Sequence, residues 1–339
     1  MKRLFSVGLL LLLLAGCSHA EAPMTTFAPK SDFAEWIHSL YWQVIGWDTF
    51  ILVIVAVATL LALFRYSTRT QTAGETPPQS HEYLALEVAW TLGPALVLLA
   101  IAIPTVRTTF RAQPTVAPEN ALTVNVTAHQ WWWQVYYPTL GITTANEIHL
   151  PAGQPVILQL ESADVIHSLW VPQLGGKRDI IPGHSNAITF IPHTPGVYLG
   201  QCAEFCGLSH ANMRFRVIVD APGQFHAWAT QQTAPAATPP PVDASTPVAP
   251  VAAGARLYAT NLCVTCHAIN GVSTQRVGPD LTHFGSRTTL AGGILDNTPE
   301  QLARWLRDPP AVKPGAQMPN LGLSSKQISQ LVVYLESLK

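Results

Sequence analysis

Two long apolar runs in the first third of the chain constrain its fold most strongly. Residues 45–64 are apolar apart from Asp48, and residues 88–106 carry no charge. Twenty residues of α-helix span about 30 Å, the thickness of the hydrocarbon core of a bilayer. The prolines of the second run are tolerated in a membrane helix, because neighbouring helices can satisfy the freed carbonyl groups. The chain is therefore predicted to cross a membrane twice, at 45–65 and at 84–106.

The N-terminal sequence MKRLFSVGLLLLLLAGC predicts the side of the membrane on which the chain begins. Two basic residues precede a short apolar run, which is typical of a secretory signal peptide. Its last four residues resemble a bacterial lipobox, which predicts a leader at 1–17 with lipidation of Cys17. Cleavage of an ordinary signal peptide near Ala20 is the alternative. In both cases residues 18–44 are extracytoplasmic, 66–83 form a cytoplasmic loop, and everything after the second span is extracytoplasmic.

Three further regions follow the second span. Residues 107–229 contain strand-length pieces separated by Gly- and Pro-bearing turns, and ALTVNVTA alternates apolar and polar residues as a half-buried strand does. This pattern predicts a β-sandwich or barrel. Residues 230–250 are rich in Pro, Ala and Thr, as in an extended linker. Residues 251–339 contain amphipathic segments that predict a small helical domain. The net charge of −1 and the lack of a basic stripe argue against nucleic acid as a partner.

The stretch QCAEFCGLSHANM concentrates soft metal ligands within thirteen residues. Its pattern is Cys-x3-Cys-x3-His-x2-Met, formed by Cys202, Cys206, His210 and Met213. Thiolate, imidazole and thioether together favour copper. A single blue-copper centre uses one Cys, whereas a second Cys allows both sulfurs to bridge two metal ions. The additional histidine has to come from elsewhere, and His167 in DVIHSLWVP is the best candidate. A disulfide between the two cysteines is the alternative in an exported protein.

A second cofactor motif lies in the C-terminal domain. Cys263-Val264-Thr265-Cys266-His267 is the attachment signature of c-type haem, in which two thioethers fix the macrocycle and the histidine is the proximal iron ligand. Met318, the only methionine after the linker, is the predicted distal ligand, and His283 is its competitor. A zinc site would need further thiols, and the five cysteines of the chain are all otherwise assigned.

The two spans and the β domain resemble subunit II of haem–copper cytochrome c oxidases. The C-terminal domain resembles class I cytochromes c, with Gly-Pro-Asp-Leu at 278–281 similar to their haem-packing loop, and the fusion resembles the caa-type oxidases. The resemblance implies a hairpin of two transmembrane helices, a cupredoxin-like β-sandwich or barrel, and an all-α cytochrome c domain. It also implies a binuclear copper centre, CuA, holding two coppers, with these ligands: Cys202 and Cys206 as bridges, His167 and His210, Met213, and the backbone carbonyl of Glu204.

Three more positions match the family. The carboxylate of Glu204 corresponds to a ligand of a magnesium ion shared with subunit I, with a solvated loop acid as the alternative. Trp131 corresponds to the tryptophan through which electrons reach the copper centre, whereas Trp132 and Trp133 are better explained as core or interfacial aromatics. Glu87 corresponds to a glutamate at the inner mouth of a proton pathway in some oxidases. An interfacial carboxylate at the start of a span is an equal alternative for Glu87.

The function implied by the resemblance is the electron-input role in a terminal oxidase of a bacterial plasma membrane. Electrons would come from cytochrome c or an upstream cytochrome complex, and the partners would be subunit I, subunit III and the lipid bilayer. Both soluble domains would lie on the periplasmic side. The linker would hold the haem domain near the copper domain at high effective concentration, so that cutting it should slow internal transfer. A metal-free quinol oxidase subunit and a copper-delivery protein are the rival functions, and the intact ligand set and the haem motif argue against them.

Overall fold

The computed structural model describes residues 22–66, 83–113, 119–235 and 250–339. The chain divides into two compact units. One is Glu35–Gln113, and the other combines Met1–Ala34 with Pro114–Lys339. The leader with Cys17, and the linker residues 236–249, lie outside the described residues.

Two long helices account for the apolar runs: α1, Asp32–Arg65, and α2, Leu84–Arg111. Both are long and apolar enough to cross a membrane, with a mean hydropathy of 2.3 and 2.0 over their most apolar stretches. None of the side chains in those stretches is buried. The prediction of two membrane-length helices is confirmed. Helix α1 begins well before the predicted span, and its 34 residues extend for about 51 Å, longer than a hydrocarbon core.

The first turn of α1 begins within the same compact unit as the β domain. Ser31 is buried, and its hydroxyl accepts a hydrogen bond from the Ala34 N–H at 3.1 Å and donates one to the Leu174 carbonyl at 2.6 Å. Phe33 is buried against Gly175, where a side chain would approach the Phe33 ring to 2.8 Å. The segment predicted as 18–44 therefore contains a helix start that is capped and anchored.

The β domain is a sandwich of two five-stranded sheets. In chain order its strands are β1 Leu122–His129, β2 Trp132–Tyr137, β3 Ile142–Ala145, β4 Glu147–Pro151, β5 Val156–Ser162, β6 His167–Trp170, β7 Arg178–Ile180, β8 Asn186–Phe190, β9 Gly196–Cys202 and β10 Arg214–Asp220. One sheet has the order β3-β2-β1-β5-β8, and the other has the order β4-β10-β9-β6-β7. Parallel pairing of β1 with β5 and of β4 with β10 joins strands that are distant in sequence.

Alternation of side chains in β1 explains how the sandwich is filled. Val124, Val126 and Ala128 are buried on one face, while the residues between them are partly exposed. The alternating segment 121–128 forms β1, and the predicted β-sandwich is confirmed. The aromatic run after β1 forms β2, and β6 and β7 are short strands that sequence alternation did not reveal.

The end of the β domain differs from its predicted boundary. Helix α3, Pro222–Thr233, begins with a proline at its first turn and includes four residues assigned to the linker. Its Trp228 stacks on His149, with ring centroids 4.2 Å apart, and makes an edge contact with Tyr137. Aromatic packing against the sandwich therefore continues the helix past residue 230.

The C-terminal domain is mainly helical, with one short hairpin. Its elements are α4 Pro250–Thr260, a 3-10 turn Leu262–Thr265, a 3-10 turn Phe284–Ser286, β11 Thr289–Leu290, β12 Leu295–Asp296, α5 Pro299–Arg307, α6 Pro309–Val312 and α7 Ser325–Ser337. Helices α4 and α7 cross closely at Gly254, because a Cβ there would lie 2.1 Å from the Gln330 carbonyl oxygen. Ser324 caps α7. The segment AGARLYATNLCVTCHAI predicts a helix across the haem motif, but α4 ends at Thr260, where the Asn261 side chain donates to the Leu257 carbonyl.

Candidate functional site

Three adjacent strands of one sheet position the predicted copper ligands. His167 begins β6 and Cys202 ends β9, and these strands are paired through Leu169 and Cys202. The Cys202 N–H donates to the Met213 carbonyl at 3.0 Å, which fixes the end of the ligand loop beside its start. Within the loop, the 3-10 turn His210–Asn212 brings its histidine back toward the sulfurs. His167 and the ligand loop, which are distant in sequence, therefore meet at one end of the sandwich.

The ligand atoms form a compact, buried, paired cluster. The Sγ atoms of Cys202 and Cys206 are 3.8 Å apart, well beyond the ~2.05 Å of a disulfide bond. Cys202 Sγ lies 3.8 Å from His167 Nδ1, and Cys206 Sγ lies 3.5 Å from His210 Nδ1. Met213 Sδ is 3.8 Å from Cys206 Sγ. Each sulfur thus has an imidazole nitrogen of its own, an arrangement that suits soft or borderline metal ions.

The backbone carbonyl of Glu204 lies on the same side of the cluster as Cys202, with its oxygen 3.2 Å from that sulfur. The Glu204 side chain is exposed and thus available to a group outside this chain. Glu87 is exposed in the first turn of α2, in the other compact unit. The structure therefore brings the Glu204 carbonyl into the cluster and leaves both carboxylates without an assigned contact to it.

The two thiols perturb each other electrostatically. The hydrogen bond between Cys202 and Cys206 is the main cause that lowers the pKa of Cys202, to about 3. The same contact raises the pKa of Cys206, because a second negative charge 3.8 Å from the first is unfavourable. A bound cation removes this repulsion and favours both thiolates. The electrostatics of the pair therefore match a metal-binding role.

Asp164 orients His167 and was not identified from the sequence. Its Oδ1 lies 2.7 Å from His167 Nε2, so the ring directs Nδ1 toward the sulfurs. The backbone N–H groups of Gln130 and Val165 donate to the same carboxylate at 2.6 and 2.7 Å. Burial opposes ionisation of Asp164, but these hydrogen bonds outweigh it and lower its pKa. A carboxylate that holds the far nitrogen of a ligating histidine is a common support of metal sites.

Trp131 touches the cluster through the backbone of one ligand. Its Nε1–H donates to the Cys206 carbonyl at 3.1 Å, and the Gln130 side chain donates to the same oxygen at 2.7 Å. Trp133 is fully buried against Phe215, with ring centroids 5.1 Å apart, as a core aromatic. Trp132 stacks on His129 at 4.3 Å. Of the three tryptophans, only Trp131 has a side chain that hydrogen-bonds to the ligand loop.

A cavity of about 340 Å³ in the C-terminal domain brings the predicted haem-binding residues together. Cys263, Cys266, His267 and Met318 all line it, together with apolar side chains such as Leu302. His283 is buried and is not among the described residues that line this cavity. The geometry therefore favours Met318 over His283 as the residue opposite His267.

His267, the predicted proximal ligand, is held in the orientation that haem ligation would need. His267 Nδ1 lies 2.7 Å from the Pro279 carbonyl, so this nitrogen donates and Nε2 is left as the lone-pair nitrogen. Burial lowers the pKa of His267, which keeps the imidazole neutral. A Cβ at Gly278 would lie 2.6 Å from His267 Cε1, so glycine is needed for the loop to approach the ring. These residues fit a haem group bound through the Cys-x2-Cys-His motif.

The β domain supplies part of the wall of the cavity in the C-terminal domain. Gln130, Trp131 and Trp132 line it from the side of the β domain. Lys313 of the C-terminal domain is almost fully buried, and its Nζ donates to the Trp131 carbonyl at 2.6 Å and to the Ala291 carbonyl at 3.1 Å. The two predicted cofactor sites therefore share Trp131 as a common boundary.

Comparisons with known proteins agree with this division of the chain. Residues 27–108 match the transmembrane domain of cytochrome c oxidase subunit II, residues 140–222 match the periplasmic domain of that subunit, and residues 251–339 match cytochrome c. Cytochrome c oxidase subunit 2 of Alkalihalophilus pseudofirmus is 36% identical over 343 residues, which cover 100% of this chain and 97% of that protein.

Two further relatives extend the comparison. Cytochrome c oxidase subunit 2 of Bacillus sp. (strain PS3) is 35% identical over 358 residues, which cover 99% of this chain and 97% of that protein. Quinol oxidase subunit 2 of Bacillus cereus is 30% identical over 240 residues, which cover 68% of this chain and 79% of that protein. The similarity to the cytochrome c oxidase subunits thus spans the whole chain, and the similarity to the quinol oxidase subunit spans part of it.

Proposed function

This chain belongs to the family of cytochrome c oxidase subunit II, and on that basis we propose that it is the electron-input subunit of a terminal oxidase. Electrons pass from a c-type haem in the C-terminal domain to copper in the β domain, and then to the catalytic subunit, where O2 is reduced to water with proton translocation. The chain is one subunit of an oxidoreductase, and the oxygen-reducing site lies on another.

One observation carries the copper part of the proposal: two buried thiols 3.8 Å apart, each with its own imidazole Nδ1 within 3.8 Å. This symmetry supports a pair of copper ions, which Cys202, Cys206, His167 and His210 would hold. Met213 and the Glu204 carbonyl complete the proposed ligand set. When bound, the copper pair and the haem supply the one-electron redox chemistry.

The residues of the chain have distinct tasks in this proposal. Asp164 would hold His167 with its Nδ1 available to the metal, and the burial of His167, Cys202, Cys206 and Met213 limits access of water to them. Backbone hydrogen bonds pair β6 with β9 and join the Cys202 N–H to the Met213 carbonyl. Because these bonds anchor the segments that carry the ligands, the ligands move little when the charge of the site changes. Trp131, which bonds to the Cys206 carbonyl and borders the haem cavity, is the proposed connection between the two sites.

Cys263 and Cys266 would form the thioether links to haem, and His267 and Met318 would ligate the iron. His/Met ligation raises the reduction potential and suits electron transfer. The fixed Nδ1 of His267 and the position of Met318 in the same cavity support this assignment.

The remaining assignments concern the surroundings of the subunit. We propose subunit I and subunit III as partners, a cytochrome c or an upstream cytochrome complex as the donor, and a bacterial plasma membrane with both soluble domains on the periplasmic side. The exposed Glu204 carboxylate would contribute to a magnesium site shared with subunit I. Glu87 would lie at the mouth of a proton pathway, and Cys17 would carry a lipid anchor.

The test is copper and haem quantitation together with electron paramagnetic resonance of the purified complex. We expect two coppers and one covalent haem in this chain, with hyperfine structure from one electron shared by two equivalent coppers. A Cys206→Ser variant should lose this spectrum, whereas Cys263→Ser should retain it. Fewer than two coppers in this chain, or a crosslink between Cys202 and Cys206 in the native complex, would exclude the paired centre.

The rival function is that of a metal-free quinol oxidase subunit, which the similarity to the Bacillus cereus quinol oxidase subunit 2 makes specific. A metal-free subunit has no need for a buried cluster of two thiols, two imidazoles and a thioether, or for a cytochrome c domain. The copper count in the same experiment separates the two functions.

A further inference from the structure

The haem domain meets the copper domain through a buried carboxylate. Glu147, the first residue of β4, is only 2% exposed. Its Oε1 accepts hydrogen bonds from the N–H groups of Thr288 and Thr289 at 2.8 and 2.7 Å. The hydroxyls of the same two threonines donate to it at 2.6 and 2.9 Å. All four donors belong to the haem domain, so this carboxylate is satisfied by the partner domain.

Contacts around Glu147 extend this polar interface. Arg216 of β10 donates to the Thr288 hydroxyl at 3.2 Å and to the Asp296 carboxylate at 2.9 Å. The Arg214 N–H donates to the Gly292 carbonyl at 2.9 Å, and a Cβ at Gly292 would lie 3.1 Å from the Trp131 carbonyl oxygen. The turn between β11 and β12 is therefore pressed against the copper domain, backbone to backbone.

A carboxylate removed from water is stable only where donors replace its hydration. Separation of the domains would return Glu147 to water and break four hydrogen bonds at once. It would also expose Lys313, whose Nζ bonds to the Trp131 carbonyl and to the Ala291 carbonyl. A domain held near its target by a linker alone would not need buried polar groups that are satisfied across the boundary.

We propose that Glu147 is an interdomain anchor: its contacts with Thr288 and Thr289 keep the haem domain docked on the copper domain independently of the linker. The docked position is the one in which Trp131 closes the haem cavity. Its use in electron transfer rests on the proposed function, whereas docking itself can be measured without any electron transfer. If Glu147 anchors the haem domain, the domain stays bound after the linker is cut. If the linker alone holds it, the domain is lost.

The experiment uses the full-length chain in its native complex, with a specific protease site placed within 236–249 and a tag at the C-terminus. After complete cleavage, gel filtration at physiological ionic strength shows whether the tagged haem domain stays with the complex. We expect it to remain bound in the parent chain. In Glu147→Ala we expect dissociation to be at least about tenfold faster, because truncating one partner of a buried charged contact leaves its donors unsatisfied.

Two further variants control for misfolding and for charge. Thr289→Val, on the other side of the contact, removes one hydroxyl donor with little change of shape and should also accelerate dissociation. Glu161→Ala removes an exposed glutamate of β5 and should leave retention unchanged. Each variant is checked for its copper content and its far-ultraviolet circular dichroism.

Retention of the cleaved haem domain in the parent and in Glu161→Ala, with release in Glu147→Ala and Thr289→Val, supports the anchor. The proposal is overturned if the parent loses the domain as fast as Glu147→Ala, or if both interface variants retain it like the parent. The readout follows the tag, so it does not depend on copper or haem loading and is separate from the test of the proposed function.

Discussion

Replacement of Asp164 by Asn should weaken copper binding while leaving every direct ligand in place. The Asp164 carboxylate accepts hydrogen bonds at both oxygens, from His167 Nε2 at 2.7 Å on one and from the Gln130 N–H at 2.6 Å on the other. An amide of the same shape has one acceptor atom, so one of these donors must face an NH2 group. If that group faces His167, the ring is driven to the tautomer with hydrogen on Nδ1, which blocks the metal-binding nitrogen.

The size of the effect follows from the role of such contacts. Loss of a carboxylate that orients a ligating histidine lowers metal affinity by about 10- to 100-fold, or about 1.4–2.8 kcal/mol. The effect should be near the upper end, because His167 is fully buried and its Nε2 bonds to this carboxylate at 2.7 Å. The ligand spacing and the fold should remain unchanged.

Competition with a copper chelator, followed by the electron paramagnetic resonance signal of the purified complex, measures this affinity. Asp179→Asn makes the same chemical change at an exposed position on β7, next to β6, and serves as the matched control. An Asp164→Asn protein that retains copper within twofold of the parent would show that His167 is oriented by the fold alone.

Two further predictions concern the haem domain. Met318→Leu should lower the haem reduction potential and remove the six-coordinate spectrum, whereas His283→Ala should leave both unchanged. The reason is that Met318 lines the cavity and His283 does not. Redox titration with optical detection of the two variants tests this prediction. Burial lowers the pKa of Lys313 to about 7, with the charge of Cys206 opposing this shift. Between that value and the ordinary 10.5 the unfolded chain binds a proton that the folded chain does not, so stability should rise with pH by up to about 1.4 kcal/mol per pH unit. Thermal unfolding of the parent and of Lys313→Met at pH 7, 8 and 9 tests this, and equal slopes in the two proteins would contradict it.

Much of the architecture is determined by local sequence. An uninterrupted apolar run of membrane length can only be satisfied in lipid or a large core, so α1 and α2 were predictable without tertiary information. The alternation in β1 and the capping serine of α7 are likewise local signals. The residues at which the helices end were not predictable from these patterns. Trp228 packing extends α3 into the predicted linker, and the Asn261 side chain ends α4 before the haem motif.

The candidate sites, too, were predictable from local sequence only in part. The two cysteines, one histidine and the methionine of the predicted copper cluster lie within thirteen residues, and the predicted haem motif within five, so spacing alone was enough to predict them. His167 could be named only as a candidate, because the pairing of β6 with β9 is what brings it to Cys202. Asp164 gave no signal, since a single aspartate in a loop is indistinguishable from a solvated one until its neighbours are known.

The interface between the two soluble domains was determined entirely by tertiary structure. Glu147 meets Thr288 across 141 residues of chain, and Lys313 meets Trp131 across 182. In the sequence Glu147, Thr288 and Lys313 are ordinary polar residues in a strand, turn or loop. Their burial and their partners arise only when two separately folded surfaces come together, because desolvation and hydrogen-bond geometry depend on distances in space and not on distances along the chain.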